Sequence, residues 1–236
     1  MTNLKKIGII GTQCIGKSTL IEDMMLQWPQ LSRPEKTYRD LVKEKNLPIN
    51  KKGTKESQGL ILDFLVEEAS KNYGKKKMVF DRTPLDNLAY TFWLYDKNLS
   101  DIDEAFIDDC VIKARNALTH YSILFYLPLI EKNSIVLSEK EQRDIDPVYR
   151  AEIDVLFDSF YRAWEAKNTR LFNNNDTPAI IPIYGNPIER IEMICMYINN
   201  KCEFYGEKDS LITDIAEKAM LAENLGLTNK NLPKKR

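Results

Sequence analysis

Histidine is almost missing from this chain: His120 is the only one in 236 residues. That argues against a histidine-centred catalytic triad and against a histidine-rich metal site. His120 itself precedes a strand-like run at 122–127 and is read as structural. Cysteine is scarce too. Cys14, Cys110, Cys195 and Cys202 are scattered and form no C-x-x-C pair, so neither a zinc pattern nor a disulfide framework is present. No apolar stretch approaches the length of a membrane span. The run Ile7–Ile10, although preceded by Lys5 and Lys6, is too short for the apolar core of a signal peptide. Neither sign of charge dominates: 34 Lys and Arg face 35 Asp and Glu, a formal net charge of −1. Such a balance does not advertise nucleic-acid binding, although it leaves room for a local basic groove. Internal repeats and low-complexity linkers are also missing. The expectation is a soluble, cytoplasmic protein with no membrane partner and enough length for a large core.

What is present is one strong motif. Gly11-Thr12-Gln13-Cys14-Ile15-Gly16-Lys17-Ser18-Thr19 follows the apolar run Ile7-Gly8-Ile9-Ile10 and precedes the helical-looking Leu20–Leu26. That is strand, loop and helix, with G-x-x-x-x-G-K-[ST] in the loop. Successive backbone N–H groups of such a loop point inward and surround an oligophosphate. The following helix adds unpaired N–H groups and a partial positive charge. Lys17 is placed to reach the β- and γ-phosphates of ATP, and the Ser18 hydroxyl to ligate Mg²⁺.

Around this motif, helix and strand signals alternate, which points to an α/β fold with a mostly parallel sheet. Strands are expected at about 5–10, 78–80, 122–127 and 180–183, with a short extended piece at 31–33. Pro182 puts the last strand near a sheet edge. Helices are expected at about 17–27, 37–44, 58–72, 103–118 and 187–198. Another opens at Thr83-Pro84-Leu85-Asp86, where Thr is the N-cap, Pro is N1 and the acid is N3. After Asp146-Pro147, Ile153, Leu156, Phe157, Phe160, Tyr161 and Trp164 form an apolar helical stripe, read as core. Lysine-rich 43–55 and Lys75–Lys77 are read as solvated segments.

In an open parallel sheet, ligands sit outside the carboxyl ends of the strands. The phosphate loop, Glu35, Asp81-Arg82 and the region of Arg143 all fall at such ends. Asp81, if its strand neighbours the first, would hold Mg²⁺ together with Ser18. Glu35 would accept a proton from an attacking hydroxyl. Arg33, Arg39, Arg82, Arg143 and Arg150 are candidate clamps for the transferred phosphoryl group or an anionic acceptor. Arg143 lies in a long polar connection at 130–146 that would close as a lid. Asp86 is either an acceptor contact or simply part of the helix cap.

These residues together resemble the P-loop nucleoside and nucleotide kinases. The phosphate loop, Pro34-Glu35 with Arg39 after it, Asp81-Arg82, Arg143 before an amphipathic helix, and Gly185 after the last strand carry the resemblance. Deoxynucleoside kinases, thymidylate kinase and nicotinamide-riboside-kinase-like ATPases belong to that set. The similarity spans about residues 4–200, so 1–200 reads as one kinase domain with the lid segment. Residues 201–236 read as an extension with a helix at about 210–225 and a basic tail. The resemblance implies a three-layer fold around a five-stranded parallel sheet, with the Asp81 strand beside the first. It implies Glu35 as base or acceptor contact, Arg82 as acceptor or transition-state contact, Arg143 as the lid arginine, and adenine near Gly185. Members often form homodimers through helices flanking the acceptor site. Ile15 departs from the pattern, since a small residue often stands there. The leading expectation is a Mg·ATP-dependent kinase of a nucleoside or nucleoside monophosphate. A kinase acting on a hydroxyl within a nucleic acid, an NTP-hydrolysing switch and a non-catalytic nucleotide-binding module are the alternatives.

Overall fold

Five parallel strands form the centre of the molecule, in the order β2-β3-β1-β4-β5. They are β1 (Lys6–Ile10), β2 (Leu31–Ser32), β3 (Lys77–Asp81), β4 (Ile123–Tyr126) and β5 (Ala179–Pro182). The computed structural model describes residues 6–74, 76–130, 146–173 and 177–205. Arg143, most of the 130–146 segment and nearly all of the C-terminal extension therefore lie outside the described residues.

The seven α-helices described are α1 (Lys17–Gln27), α2 (Tyr38–Lys45), α3 (Lys55–Ser70), α4 (Pro84–Asp96), α5 (Glu104–Leu118), α6 (Pro147–Glu165) and α7 (Pro187–Cys195). Strand residues alternate between the two faces of the sheet. Ile7, Ile9, Val79, Ile123 and Phe125 pack against α1 and α7, together with Leu20, Met24 and Ile194. Ile10, Met78, Phe80, Leu124 and Tyr126 pack on the other side, against Leu62, Leu88, Val111 and Phe157 of α3 to α6. Both faces are covered, which is why the central strands read as unbroken apolar runs. Ile15 turns out to be core: it is 1% exposed and packs with Ile9 and Leu20. Its bulk anchors the loop from beneath.

The structure departs from the sequence reading at the start of α3, within the lysine-rich segment, and at the end of α7, which stops at Cys195 and not at 198. Helix α3 begins at Lys55, three residues before Gln58, because Thr54 and Ser57 cap it reciprocally. Within the lysine-rich segment expected to be solvated loop, Asn50–Lys52 form one 3₁₀ turn. Lys51 pairs with Asp146, and Lys55 with Asp103 at 2.7 Å. The N-terminus of α4 is as expected: Thr83 caps it, Pro84 opens it and Asp86 is N3. Strand β5, with Pro182, lies at one edge. The other edge strand, β2, is only two residues long. It pairs with Lys77 and Met78 alone, so the upper half of β3 stays uncovered on that side.

Candidate active site

The register of β1 on β3 sets Ile9 opposite Asp81, directly beneath the phosphate loop. The loop alternates in hand: Gly11 has φ +142°, Cys14 +55° and Gly16 +90°. Such alternation turns successive N–H groups into an anion-binding concavity. A Cβ on Gly11 would stand 2.6 Å from the Leu127 carbonyl oxygen, so no other residue fits there. Helix α1 has no side-chain cap, which leaves its first-turn N–H groups to an anion. Lys17 is buried and donates to the Gly11 and Thr12 carbonyls, each at 2.7 Å. Burial, followed by the charge of Arg82, lowers its pKa to about 8.

Two arginines hold this loop from behind. Arg150 of α6 donates to the Gln13 carbonyl at 3.1 Å and to the Cys14 carbonyl at 3.2 Å. Its own carbonyl accepts from the Thr12 hydroxyl at 3.2 Å. The sequence reading gave Arg150 to the substrate; the structure ties it to the loop backbone. Arg190 of α7 is 2% exposed and was not anticipated. It donates to the Gly185 carbonyl at 2.8 Å and to the Ile15 carbonyl at 3.2 Å. Gly185 is thereby linked to the phosphate loop.

Asp81 and Ser18 meet as expected: the Ser18 hydroxyl donates to Asp81 Oδ2 at 3.0 Å. Arg39 reaches the same oxygen at 3.0 Å. Asp81 Oδ1 is buried and has no hydrogen-bond partner among the described residues. Burial pushes the Asp81 pKa up, but Lys17, Arg39 and Arg82 outweigh it and hold the group ionised. One orphaned carboxylate oxygen beside one hydroxyl fits Mg²⁺, which keeps several waters and takes phosphate oxygens rather than a protein cage. Accordingly, no group of three or more His, Cys, Asp or Glu among the described residues could hold a metal. Ser18 and Asp81 would hold the ion.

Beyond the short β2, a cavity of about 180 Å³ opens between α1, α2, α3 and the end of β3. Arg33, Lys36, Arg39 and Arg82 line it, with Glu22, Glu68 and Asp81. Glu35 does not. Its neighbours Pro34 and Lys36 face the cavity, while Glu35 itself is exposed. Arg82 sits between the rings of Tyr38 and Tyr90, each centroid 4.6 Å from its guanidinium carbon. It also donates to the Tyr90 hydroxyl at 3.3 Å. Its backbone is left-handed, with φ +84°, a strained conformation that the two rings help to fix. The Arg82 Nε is buried without a partner among the described residues. A narrower recess continues past Arg82 to Gln58 and Asn87, whose side-chain amides pair at 3.0 Å. Asp86 is wholly buried and accepts from the Thr83 N–H at 2.8 Å. It belongs to the helix cap, and burial raises its pKa to about 6. The sequence reading missed Arg190, Tyr38, Tyr90, Glu68 and the Gln58–Asn87 pair. No motif marks any of them; only the fold brings them to the site.

A family model described as an AAA domain matches residues 6–175. The chain belongs to that family. Solved structures place this AAA-domain protein among P-loop folds. A deoxyadenosine kinase from M. mycoides with dCMP and dCDP bound is 22% identical, with a TM-score of 0.55 over 80% of this chain and 95% of that one. Thymidylate kinase from Candida albicans is 15% identical, with a TM-score of 0.52 over 92% of both chains. The NadR protein in complex with NAD and AMP-PNP is 11% identical, with a TM-score of 0.51 over 83% of this chain and 49% of that one. At such identities the shared property is the fold: a three-layer α/β P-loop architecture. No curated protein matches this AAA-domain chain. None of its described helices is long and apolar enough to cross a membrane.

Proposed function

We propose that this protein transfers the γ-phosphoryl group of Mg·ATP to the phosphate of a (deoxy)nucleoside monophosphate. The observation that carries the reading is the cavity beside the phosphate loop, lined by Arg33, Lys36, Arg39 and Arg82. Of the charges facing it, Asp81 is paired with Arg39, Glu68 with Lys71 and Tyr73, and Lys36 with Glu44, so Arg33 and Arg82 stand against Glu22. The remaining surplus is cationic, and an anionic acceptor matches it. A hydroxyl acceptor would need a base, and Glu35 does not face this cavity.

The donor phosphates rest on the loop N–H groups and on Lys17. Mg²⁺, when bound, neutralises charge on the phosphate oxygens and aligns them. Ser18 and Asp81 orient that ion. Arg82, held between its tyrosines, offers its guanidinium to the acceptor phosphate from the cavity wall. Arg143 supplies a further cation from the lid segment in this reading. Catalysis is then positioning and charge stabilisation, with little covalent chemistry asked of the protein. The lysine-lined entry that an oligonucleotide would use has less support: Lys51 and Lys55 are in ion pairs, and Lys77 donates to the carbonyls of Lys201 and Cys202, each at 2.6 Å.

An acceptor screen tests this directly. Purified protein with Mg·ATP is offered nucleosides, nucleoside monophosphates and oligonucleotides, and products are weighed by mass spectrometry. Diphosphates formed from monophosphates are expected. Exclusive phosphorylation of nucleosides or oligonucleotides, or ATP hydrolysis that ignores every acceptor, overturns the proposal.

A further inference from the structure

The contact between Arg39 and Asp81 has no obvious place in a working phosphotransferase. Asp81 Oδ2 receives the Ser18 hydroxyl at 3.0 Å and Arg39 Nη1 at 3.0 Å. The same Arg39 nitrogen is 3.5 Å from the Ser18 oxygen. A single cationic nitrogen thus sits against the carboxylate and the hydroxyl that would hold a divalent ion, with Asp81 Oδ1 left open beside it. A guanidinium and a metal ion held by the same carboxylate and hydroxyl compete, because like charges a few ångströms apart repel in a partly buried site.

We propose that Arg39 occupies the cation position between Ser18 and Asp81 until a divalent metal takes it, and that its guanidinium is then freed within the acceptor cavity it already lines. This rests on the reading of the site as Mg·ATP-dependent. The two sides of the contact differ in freedom. Asp81 ends a central strand and Ser18 opens α1, so neither can move far. Arg39 is near the start of α2, with its side chain 41% exposed, and can leave by side-chain rotation alone. A pair this exposed is weak, so a doubly charged ion brought by phosphates displaces it. The Tyr38 ring has the Arg39 guanidinium carbon 5.5 Å from its centroid, and Arg82 stacks on the same ring. Both arginines line the acceptor cavity.

Two consequences follow. Arg39 protects Asp81 from an uncompensated charge while no metal is bound. Metal loading also frees one cavity-lining cation from its carboxylate, so the donor complex prepares the site for an anionic second substrate. Arg39 is a positioning residue in this scheme, answering to the metal as well as to the acceptor.

The test reads metal binding, without turnover. Mn²⁺ is titrated into protein saturated with ADP, and free Mn²⁺ is followed by electron paramagnetic resonance. Wild type is compared with Arg39→Ala, Arg39→Lys and Lys36→Ala. The last removes a nearby cation of the same charge whose partner is Glu44, leaving the Asp81 contact alone. Removing the competitor should tighten Mn²⁺ roughly three- to tenfold in Arg39→Ala, the range expected for a half-exposed ion pair. Arg39→Lys should fall between, and Lys36→Ala should stay within about twofold of wild type on the same reasoning. Equal Mn²⁺ affinity in wild type and Arg39→Ala overturns the exchange and leaves the metal site standing. So does equal tightening in Lys36→Ala, which would make the effect one of general field. If the ADP-loaded wild type takes up no Mn²⁺, the metal site itself falls, and the exchange with it.

Discussion

At the scale of single residues, Lys17 carries the most consequence. It is buried against its own loop, and its pKa sits at about 8 instead of 10.5 because burial disfavours the charge. A bound phosphate restores a counter-charge and raises that pKa. The sign follows from linkage: a group whose pKa rises on binding favours binding while it is protonated in the free protein. ADP affinity should therefore be flat below about pH 8 and fall above it, by up to about tenfold per unit. Calorimetric titration with ADP from pH 7 to pH 10 checks this, and Lys17→Ala should abolish the slope. A slope identical in that variant would assign it to another group. The same variant should stay folded and lose roughly 10²–10³ in kcat, the usual cost of one transition-state contact. Undiminished turnover by a folded Lys17→Ala protein would remove the phosphate-loop reading altogether. Lys17 and Ser18 were legible in the sequence because their geometry is local, set by spacing within one loop. Arg82 was legible as a residue but not as a structure. Its two tyrosines come from α2 and α4, 44 and 8 positions away, and no local pattern joins them.

At the scale of elements, the loop is held by α6 and α7 as much as by its own glycines. Arg190 joins Gly185 to Ile15 and so couples the end of β5 to the phosphate loop. Gly185 has φ +96°, and a Cβ there would lie 2.7 Å from the Glu189 Cβ. That Glu189 side chain also accepts from the Asn186 N–H, closing the capping box of α7. Gly185→Ala should therefore strain the backbone and open the cap together, costing about 2–3 kcal/mol. Urea unfolding measures the loss, and ADP affinity should drop with it because the Arg190 link shifts. A stability loss with unchanged ADP affinity would show that the cap and the loop are independent. Cap signals were readable at Thr83-Pro84, since Thr, Pro and a following acid form a local code. The start of α3 was missed because Thr54 and Ser57 form a less usual box, with Ser in place of Glu or Gln at N3. Arg150 was assigned to the substrate because sequence alone supplies charge and not direction. Only the packing of α6 beside the loop turns its guanidinium toward the Gln13 and Cys14 carbonyls.

At the scale of the whole molecule, the strand order makes the site. With β3 beside β1, Asp81 meets Ser18; with β2 cut to two residues, the cavity opens on the side that β2 leaves bare. Alternating helix and strand signals were enough to anticipate the parallel sheet, and the phosphate loop fixed which end would bind. They could not fix on which side of the chain Glu35 would lie, because one residue of rotation in a loop decides between cavity and solvent. The structure turns Glu35 outward, and that bears on the acceptor. A nucleoside hydroxyl must lose a proton as it attacks, so removing its base should be severe. A monophosphate is already anionic and needs cations instead. Glu35→Gln keeps size and hydrogen bonding while abolishing proton acceptance. With a monophosphate acceptor its kcat should stay within about threefold of wild type, far from the roughly 10²–10⁴ expected for a lost general base. Arg33→Ala should then raise the acceptor KM by about tenfold to a hundredfold, the cost of one charge-assisted hydrogen bond, with kcat little changed. Steady-state kinetics on the acceptor found by the screen separates the two cases. A collapse of kcat in Glu35→Gln, with Arg33→Ala near normal, would mean that the 33–37 segment turns over in the working enzyme to bring a carboxylate to a hydroxyl, and would make the acceptor a nucleoside.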